Sequence, residues 1–414
     1  MLNMFSIKKI EIYEDQIKEY DILKKIITTP DQEDAFYILD LGIIIKKHQD
    51  WIKKMPRVVP YYAVKCNSNP MVIKLLAAMN ANFDCASKQE IQDVMQLGIL
   101  PDRIIFANPT KCPSHIKFAK SVGVDKMTVD GKLELFKIKK LFPEAKIIIR
   151  FRCDSKSVST DSVNLGMKFG CNPDDEAKKL IQLTKDLDLI LYGFSFHVGS
   201  PCKEFNAYKH GIEICKEFIT FAKSIGCKDI KLIDIGGGFP GESGTEIDEL
   251  SYVINDAIKE IDPTIEIISE PGRYYVTSAF TLAAYLHSKK TIWEENSPRH
   301  MYYINCGVYS GFVDELLNLH SRQPISLSNP VSDKQYLSTI CGPTCNSFDC
   351  IIKDVLLPEF HIGDWLVWSD MGSYTSSISF EFCGYMPLVV HPFIRKSQWQ
   401  DFCAFTRCDI NNGL

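Results

Sequence analysis

The chain has 414 residues, 45% of them hydrophobic and 24% charged, with 47 Lys and Arg against 52 Asp and Glu and a formal net charge of −5. So even a balance leaves no basic footprint for nucleic acid and no polybasic membrane anchor. The fifteen cysteines are scattered among apolar runs and read as reduced core thiols of a cytoplasmic protein, and their odd number leaves at least one unpaired.

Residues Met1 to Gln16 mix Lys and Glu with apolar residues and contain no signal-peptide core. The longest apolar stretch, near Leu189 to Phe196, falls far short of the roughly 20 residues a membrane span needs. From about Ala35 to Glu270, short apolar runs alternate with amphipathic stretches. Eight strands are expected, ending near Val64, Phe83, Phe106, Val129, Arg150, Phe196, Ile235 and Ser269. The Ser87–Glu90 pair reads as a capping box opening a helix through Gln96. Helices are also predicted over Asn172 to Leu187, Phe205 to Ile225 and Glu246 to Ile261, where apolar residues recur at three- and four-residue spacing. Eight strand–helix units fit a parallel (β/α)8 barrel over 35–275, with an open doubly wound sheet as the alternative. After Tyr275 the pattern turns strand-rich, as in His300 to Val308, Gln335 to Ile340 and Asp364 to Val367. Residues 1–34 with 276–414 are therefore expected to build a second, mainly β, Greek-key-like domain.

Chemistry-bearing residues collect at the expected strand ends. Lys65 follows the first strand, Asp84 ends the second, Arg150 the fifth and His197 the sixth. Ser200 lies just beyond His197; Gly236, Gly237 and Gly238 follow the seventh strand, and Glu270 and Arg273 the eighth. Singly, each has a bland reading as a solvated lysine, a satisfied histidine, a tight turn or a surface ion pair. In a barrel, however, all of them meet at the C-terminal face, where barrel enzymes place their chemistry. Consecutive glycines let backbone N–H groups approach a phosphate. The run lacks the GxxxxGK[ST] pattern and comes too late for a dinucleotide fingerprint. A phosphate site with a lysine, a carboxylate and a ring-sized histidine points to pyridoxal 5'-phosphate (PLP), with the lysine taking the cofactor's aldehyde and the carboxylate keeping its pyridine nitrogen protonated.

At these residues the chain resembles the eukaryotic ornithine decarboxylases, of the alanine-racemase-like class of PLP enzymes. The matching segments are PYYAVKCNSNP from Pro60, FDCASKQEI from Phe83, SFHVGS from Ser195, LIDIGGGFPG from Leu232, EPGRYY from Glu270, CGPTC from Cys341 and GDWL from Gly363. The resemblance implies a barrel plus β-domain and a homodimer with shared active sites. It assigns Lys65 to the covalent link with PLP, Glu270 to the pyridine nitrogen and His197 to stacking on the ring. Ser200, Gly236 to Gly238, Arg273 and Tyr374 are assigned to the phosphate, and Asp84 and Arg150 to orienting the lysine and ring system. Cys345, reaching in from the partner subunit, is implied to protonate the substrate carbon after CO2 leaves. A thiol in that role must hold its proton when it donates. Cys341, Cys345 and Cys350 have near zinc-ligand spacing, but no second CxxC pair or nearby His completes a tetrahedral set, so no metal is expected.

The resemblance departs where the substrate is read. The family's two aspartates for the distal ammonium of ornithine fall at Asn318, nine residues after Tyr309, and at Asn346, directly after Cys345. The family carboxylate just before the GVY motif is replaced by Cys306. Hydrogen bonds to charged groups contribute roughly 1.5–3 kcal/mol each, so losing both charges weakens binding of a distal cation steeply. Asp314 or Glu315 is the candidate replacement acid if the loop is shifted. Three readings follow: an amino-acid decarboxylase with substrate preference moved away from ornithine; an ornithine or lysine decarboxylase with a rearranged distal pocket, feeding polyamine synthesis; or a non-catalytic paralogue resembling the family's antizyme inhibitors. Lys111 to Leu135 resembles the family's antizyme-binding region, and, with the sequence ending soon after Trp399, the long C-terminal tail seen in vertebrate relatives is expected to be missing. The retained Lys65, Asp84, Arg150, His197, Glu270, Arg273, Tyr374 and Cys345 argue for the catalytic readings.

Overall fold

A computed structural model describes residues 9–30, 32–153, 168–294, 297–316, 322–328 and 334–406. The chain divides into two compact units, one made of residues 47–240 and 244–274, the other of residues 1–46, 241–243 and 275–414.

The first unit is a closed, all-parallel eight-stranded barrel. Its strands are Val58–Ala63, Asn82–Cys85, Ile104–Phe106, Lys126–Val129, Lys146–Arg152, Ile190–His197, Leu232–Asp234 and Glu266–Ser269. The last strand pairs back onto the first with Ile267 opposite Val58, which closes the ring. Most of their residues are apolar and buried, as strands covered on both faces require. Tyr61, Ile105, Ile148 and Leu232, one from each odd-numbered strand, pack in one cluster with Ile268. Side chains from alternate strands meet in such a layer only when the sheet is closed. The expected barrel, rather than the doubly wound sheet, is what forms. The helices Asp175–Asp186, Asn206–Ser224 and Asp248–Ile258 each carry a buried apolar stripe, a few residues shorter at the ends than their apolar spacing predicts. Arg150 lies inside its strand, two residues before the end, because Phe151 and Arg152 continue pairing with Phe196 and His197.

The second unit is built on a nine-stranded sheet, in the order Glu11–Tyr13, Val389–Arg395, Phe36–Asp40, Phe280–Glu294, Ser297–Ile304, Gln335–Cys341 and Cys350–Pro358. Trp365–Trp368 pairs with both Phe280–Glu294 and Ile325–Ser326. Its core joins Ile22, Leu23 and Ile26 of the helix Glu19–Ile27 to Phe36, Ile38, Ala283, Trp365, Val367 and Phe393. The strand Phe36–Asp40, outside the eight expected strands but within the 35–275 bound expected for the barrel, pairs in this sheet instead. All five of its residues are buried, so their apolar run carries no alternation to tell which sheet it joins. Among the described residues no helix is long and apolar enough to cross a membrane.

Candidate active site

In the barrel unit, the strand Val58–Ala63 runs into a short 3₁₀ turn, Val64–Cys66, that carries Lys65. The neighbouring strand sets Asp84 one residue before its end, in register with Ala63. Lys65 Nζ pairs with Asp84 Oδ2; the aspartate is wholly buried, whereas the lysine side chain stays 44% exposed. The turn after Asp84 is fixed by a capping arrangement. Ser87 Oγ accepts from the Glu90 N–H at 3.2 Å, and the Glu90 carboxylate accepts from the Ala86 N–H at 2.6 Å. The reciprocal bond expected within a Ser87–Glu90 box thus falls one residue earlier, on Ala86.

The glycine run leaves the seventh strand in a tight course, with Gly236 at φ +67° and Gly238 at φ +104°, a region open to glycine at little cost. The Gly236 N–H donates to Asp234 Oδ1 at 2.9 Å, and the Gly236 carbonyl accepts from the Glu270 N–H at 2.8 Å and from Ser269 Oγ at 2.6 Å. Tyr208 Oη donates to the Gly237 carbonyl at 2.7 Å. Among the described residues, the N–H groups of Gly237 and Gly238 donate to no protein acceptor. A Cβ on Gly237 would stand 2.8 Å from the Glu270 carbonyl and 3.1 Å from His197 Nε2.

Glu270 is buried, and among the described residues its Oε1 has no hydrogen-bond partner. Burial first, then the nearby carboxylates of Asp234 and Asp84, hold its pKa well above the usual carboxylate range, with Lys65 and Arg150 opposing them. Asp234 is likewise raised, to about 7, chiefly by burial. Three acids thus face too few cations, a site that attracts a positively charged group. His197 Nδ1 accepts from the Gly199 N–H at 3.0 Å, which leaves the ring proton on Nε2. Burial, then Arg150 and Lys65, depress the His197 pKa well below normal, so the ring is neutral. The Arg150 guanidinium lies 5.5 Å from the centre of the Phe169 ring. Arg273 is buried at the start of the turn Arg273–Val276, and Ser200 sits half-buried three residues past His197.

Asp234 and Tyr208 escaped the sequence reading. Asp234 was legible as an acid ending a strand just before a glycine run, but Tyr208, in the first turn of the helix Asn206–Ser224, carries no such signal.

In the second unit, Cys345 and Asn346 lie on the loop between the strands Gln335–Cys341 and Cys350–Pro358. Cys345 is exposed. Asn346 Nδ2 donates to Tyr309 Oη at 2.6 Å, while Asn346 Oδ1 accepts from the Phe348 N–H at 3.0 Å. The Tyr309 ring packs against Phe382 and Phe380, with centroids 4.5 and 5.4 Å away. Buried Asp349 accepts from the Val308 N–H through Oδ1 and from the Thr344 N–H through Oδ2, both at 2.9 Å. Cys306 is a buried thiol 3.4 Å from Ser310 Oγ, pushed up to about 12 by burial, so no charge replaces the family carboxylate there. Asp314 and Glu315 both pair with Arg322, at 2.9 and 3.4 Å. Tyr374 takes a left-handed backbone, φ +54°. Asn318 lies outside the described residues.

Residues 41–277 match the family profile "Pyridoxal-dependent decarboxylase, pyridoxal binding domain". The chain belongs to the PLP-dependent decarboxylases. It is 40% identical over 391 residues to the ornithine decarboxylase of Rattus norvegicus, covering 90% of this chain and 84% of that protein. Antizyme inhibitor 2 of Xenopus laevis is also 40% identical, over 394 residues, 92% of this chain and 85% of that protein. Among solved structures, the arginine decarboxylase of Paramecium bursaria Chlorella virus superposes with a TM-score of 0.84 at 36% identity, covering 90% of this chain and all of that one.

The barrel residues fit the cofactor of this decarboxylase family. A buried carboxylate oxygen without a partner at Glu270 suits a protonated ring nitrogen, and two uncommitted glycine N–H groups suit a phosphate. Lys65, half in solvent and steadied by Asp84, is the primary amine within the set. PLP is the cofactor, and the enzyme is a carboxy-lyase.

Proposed function

We propose that this decarboxylase removes the α-carboxylate of an L-amino acid, releasing CO2 and a primary amine, with a preference shifted away from ornithine. When bound, PLP supplies the electron sink that spreads the charge left on the substrate Cα as CO2 departs. Lys65 would hold the cofactor, with Asp84 and Arg150 placing the lysine and ring. Glu270 would keep the ring nitrogen protonated, an interaction that lowers the carboxylate's own raised pKa. Neutral His197 would lie against the ring, and Gly236 to Gly238, Ser200, Arg273 and Tyr374 would take the phosphate. Cys345 would return the proton to Cα. We place it, with Tyr309 and Asn346, in a site completed by the second subunit of a homodimer, in a cytoplasmic protein whose described cysteines are all free thiols.

The observation that carries the specificity reading is the neutral Asn346, locked by its own hydrogen bonds to Tyr309 and Phe348. The acids proposed as substitutes do not relieve it, because Asp314 and Glu315 are both already engaged by Arg322. A neutral side chain, or one that both donates and accepts hydrogen bonds, suits an asparagine better than an ammonium does. The binding-protein reading has the exposed Leu133 within the antizyme-like segment and Phe136 just past it in its favour, and a pull-down with antizyme tests it separately.

The deciding experiment is a CO2-release screen of the purified, PLP-loaded protein over the proteinogenic amino acids and ornithine. Preferred turnover of a neutral amino acid is expected. Efficient turnover of ornithine alone overturns the shifted preference, and no turnover with any amino acid overturns the catalytic reading. Lys65→Ala, the control, loses the visible absorbance of lysine-bound cofactor and all measurable activity. Mixing Lys65→Ala with Cys345→Ala subunits should restore part of the activity if the site is shared across a dimer.

A further inference from the structure

Two thiols flank the loop that carries Cys345 and Asn346. Cys341 ends one antiparallel strand, Cys350 begins the next, and the two residues are directly opposed in the register. Their sulfurs lie 3.2 Å apart. The adjoining bond, from the Gly342 N–H to the Asp349 carbonyl at 2.9 Å, continues the hairpin into the loop. Opposed antiparallel residues have Cα atoms roughly 4.5–5.5 Å apart, inside the range a disulfide spans, roughly 4.4–6.8 Å. The opposed register thus brings the two residues within reach of a disulfide. Cys341 is buried, whereas Cys350 is partly exposed.

We propose that Cys341 and Cys350 form a reversible disulfide that acts as a redox lock on the loop 342–349. The oxidant is a low-molecular-weight disulfide. The Cys350 thiolate attacks it and releases one small thiol; Cys341 then attacks the mixed disulfide and releases the second. One S–S bond forms in the protein and one breaks in the oxidant. The two protein thiols lose their protons and are oxidised, and the oxidant leaves as two thiols. Bond formation draws the sulfurs from 3.2 Å to about 2.05 Å, tightening the base of the loop. The covalent step stands on this geometry alone. Its effect on turnover rests on the decarboxylase reading, since the loop bears the proposed proton donor and the substrate-facing asparagine.

The test treats the PLP-loaded protein with oxidised glutathione, blocks remaining thiols by alkylation and maps the products by mass spectrometry. Residues 335–353 form one tryptic peptide that holds all three loop cysteines. Expected is a peptide carrying a single alkyl group, on Cys345, with Cys341 and Cys350 joined, and full reversal by a dithiol. Turnover of the best substrate should fall by roughly ten- to a hundredfold in step with the link. Cys350→Ser should retain its basal activity and resist the oxidant. A link that includes Cys345, or three alkylated cysteines after oxidation, overturns the lock. So does a Cys341–Cys350 link that leaves turnover unchanged, or equal inactivation of Cys350→Ser. If the protein turns over no amino acid, the peptide map still reads the link, so failure of the two ideas is told apart.

Discussion

Asn346 gives a hydrogen to Tyr309: the amide Nδ2 lies 2.6 Å from the phenol oxygen, and Oδ1 is occupied by the Phe348 N–H. The two bonds together orient the amide, because only its nitrogen can donate to Tyr309 while its oxygen accepts from Phe348. An aspartate here would keep the Phe348 bond and take a hydrogen from Tyr309 instead, adding a charge without disturbing the turn. Asn346→Asp is therefore expected to raise kcat/KM for a diamino acid by about ten- to a hundredfold, the worth of a charge-assisted bond of roughly 1.5–3 kcal/mol. Steady-state kinetics with ornithine and lysine check it; an unchanged ratio to the best substrate means that position 346 does not face the substrate's distal end. Adding Asn318→Asp should raise diamino-acid use further.

The buried acids make the cofactor-free protein sensitive to pH. Asp234 and Glu270 have pKa values raised by burial, so the folded chain binds more protons than the unfolded one between an ordinary carboxylate pKa of about 4 and the raised values, about 7 for Asp234. Their contribution to stability is complete at low pH and is lost as pH rises through that window. Glu270→Gln removes one of these charges. In cofactor-free protein it should flatten the fall of Tm across pH 4–7 and raise Tm at neutral pH, by about 2–4 °C for each kcal/mol relieved. With PLP supplied, the same variant should lose kcat. Thermal melts over a pH series decide it, and a slope identical to wild type rejects the assignment.

Gly237→Ala tests the glycine cradle. The new methyl would stand 2.8 Å from the Glu270 carbonyl, closer than such carbons approach, and a tight 3.1 Å from His197 Nε2. PLP affinity should fall by at least tenfold with the barrel still folded, measured by cofactor titration of the visible absorbance alongside far-UV circular dichroism. Undiminished affinity would place the phosphate elsewhere.

Glu134 tests the antizyme-like segment. Its buried carboxylate holds Lys111 Nζ at 3.1 Å and Lys137 Nζ at 2.6 Å, and Lys111 is itself buried. Burial lowers the Lys111 pKa to about 8 despite Glu134. Glu134→Gln leaves that lysine buried without its counter-charge and should cost about 3–5 kcal/mol, read from denaturant unfolding. A loss below 1 kcal/mol would mean that the lysine escapes to solvent. With Lys111 buried in the wild-type chain, partner contacts through this segment fall to exposed residues such as Leu133, 74% accessible.

The barrel was legible because its strands are short, apolar and bounded by Gly, Asp and Lys, and because successive amphipathic helices separate them. The candidate site was legible for the same reason: Lys65, Asp84, His197 and Glu270 interrupt apolar runs where a strand stops. The boundary at residue 35 fell too early because Phe36–Asp40 is a fully buried strand that carries no facing information, and only long-range pairing assigns it to the second sheet. Tyr208 and Asp349 were invisible for a different reason. A tyrosine within a helix or an aspartate after a phenylalanine looks ordinary until the fold brings the Gly237 carbonyl, or the Val308 and Thr344 amides, within reach.

Asp349 has a wider meaning for how this chain can change. One carboxylate fastens the turn that begins at Val308 to the loop that includes Thr344, and a Cβ on Gly307 or Gly342 would fall 2.1 or 2.3 Å from its Oδ1. The two segments bearing Tyr309, Cys345 and Asn346 are therefore indexed to a common point. On the proposed reading of this site, residues 309 and 346 could be exchanged to suit a new side chain while the frame that aims residue 345 stays where it is. Evolvability at one end of the substrate would then be insulated from the geometry at the other.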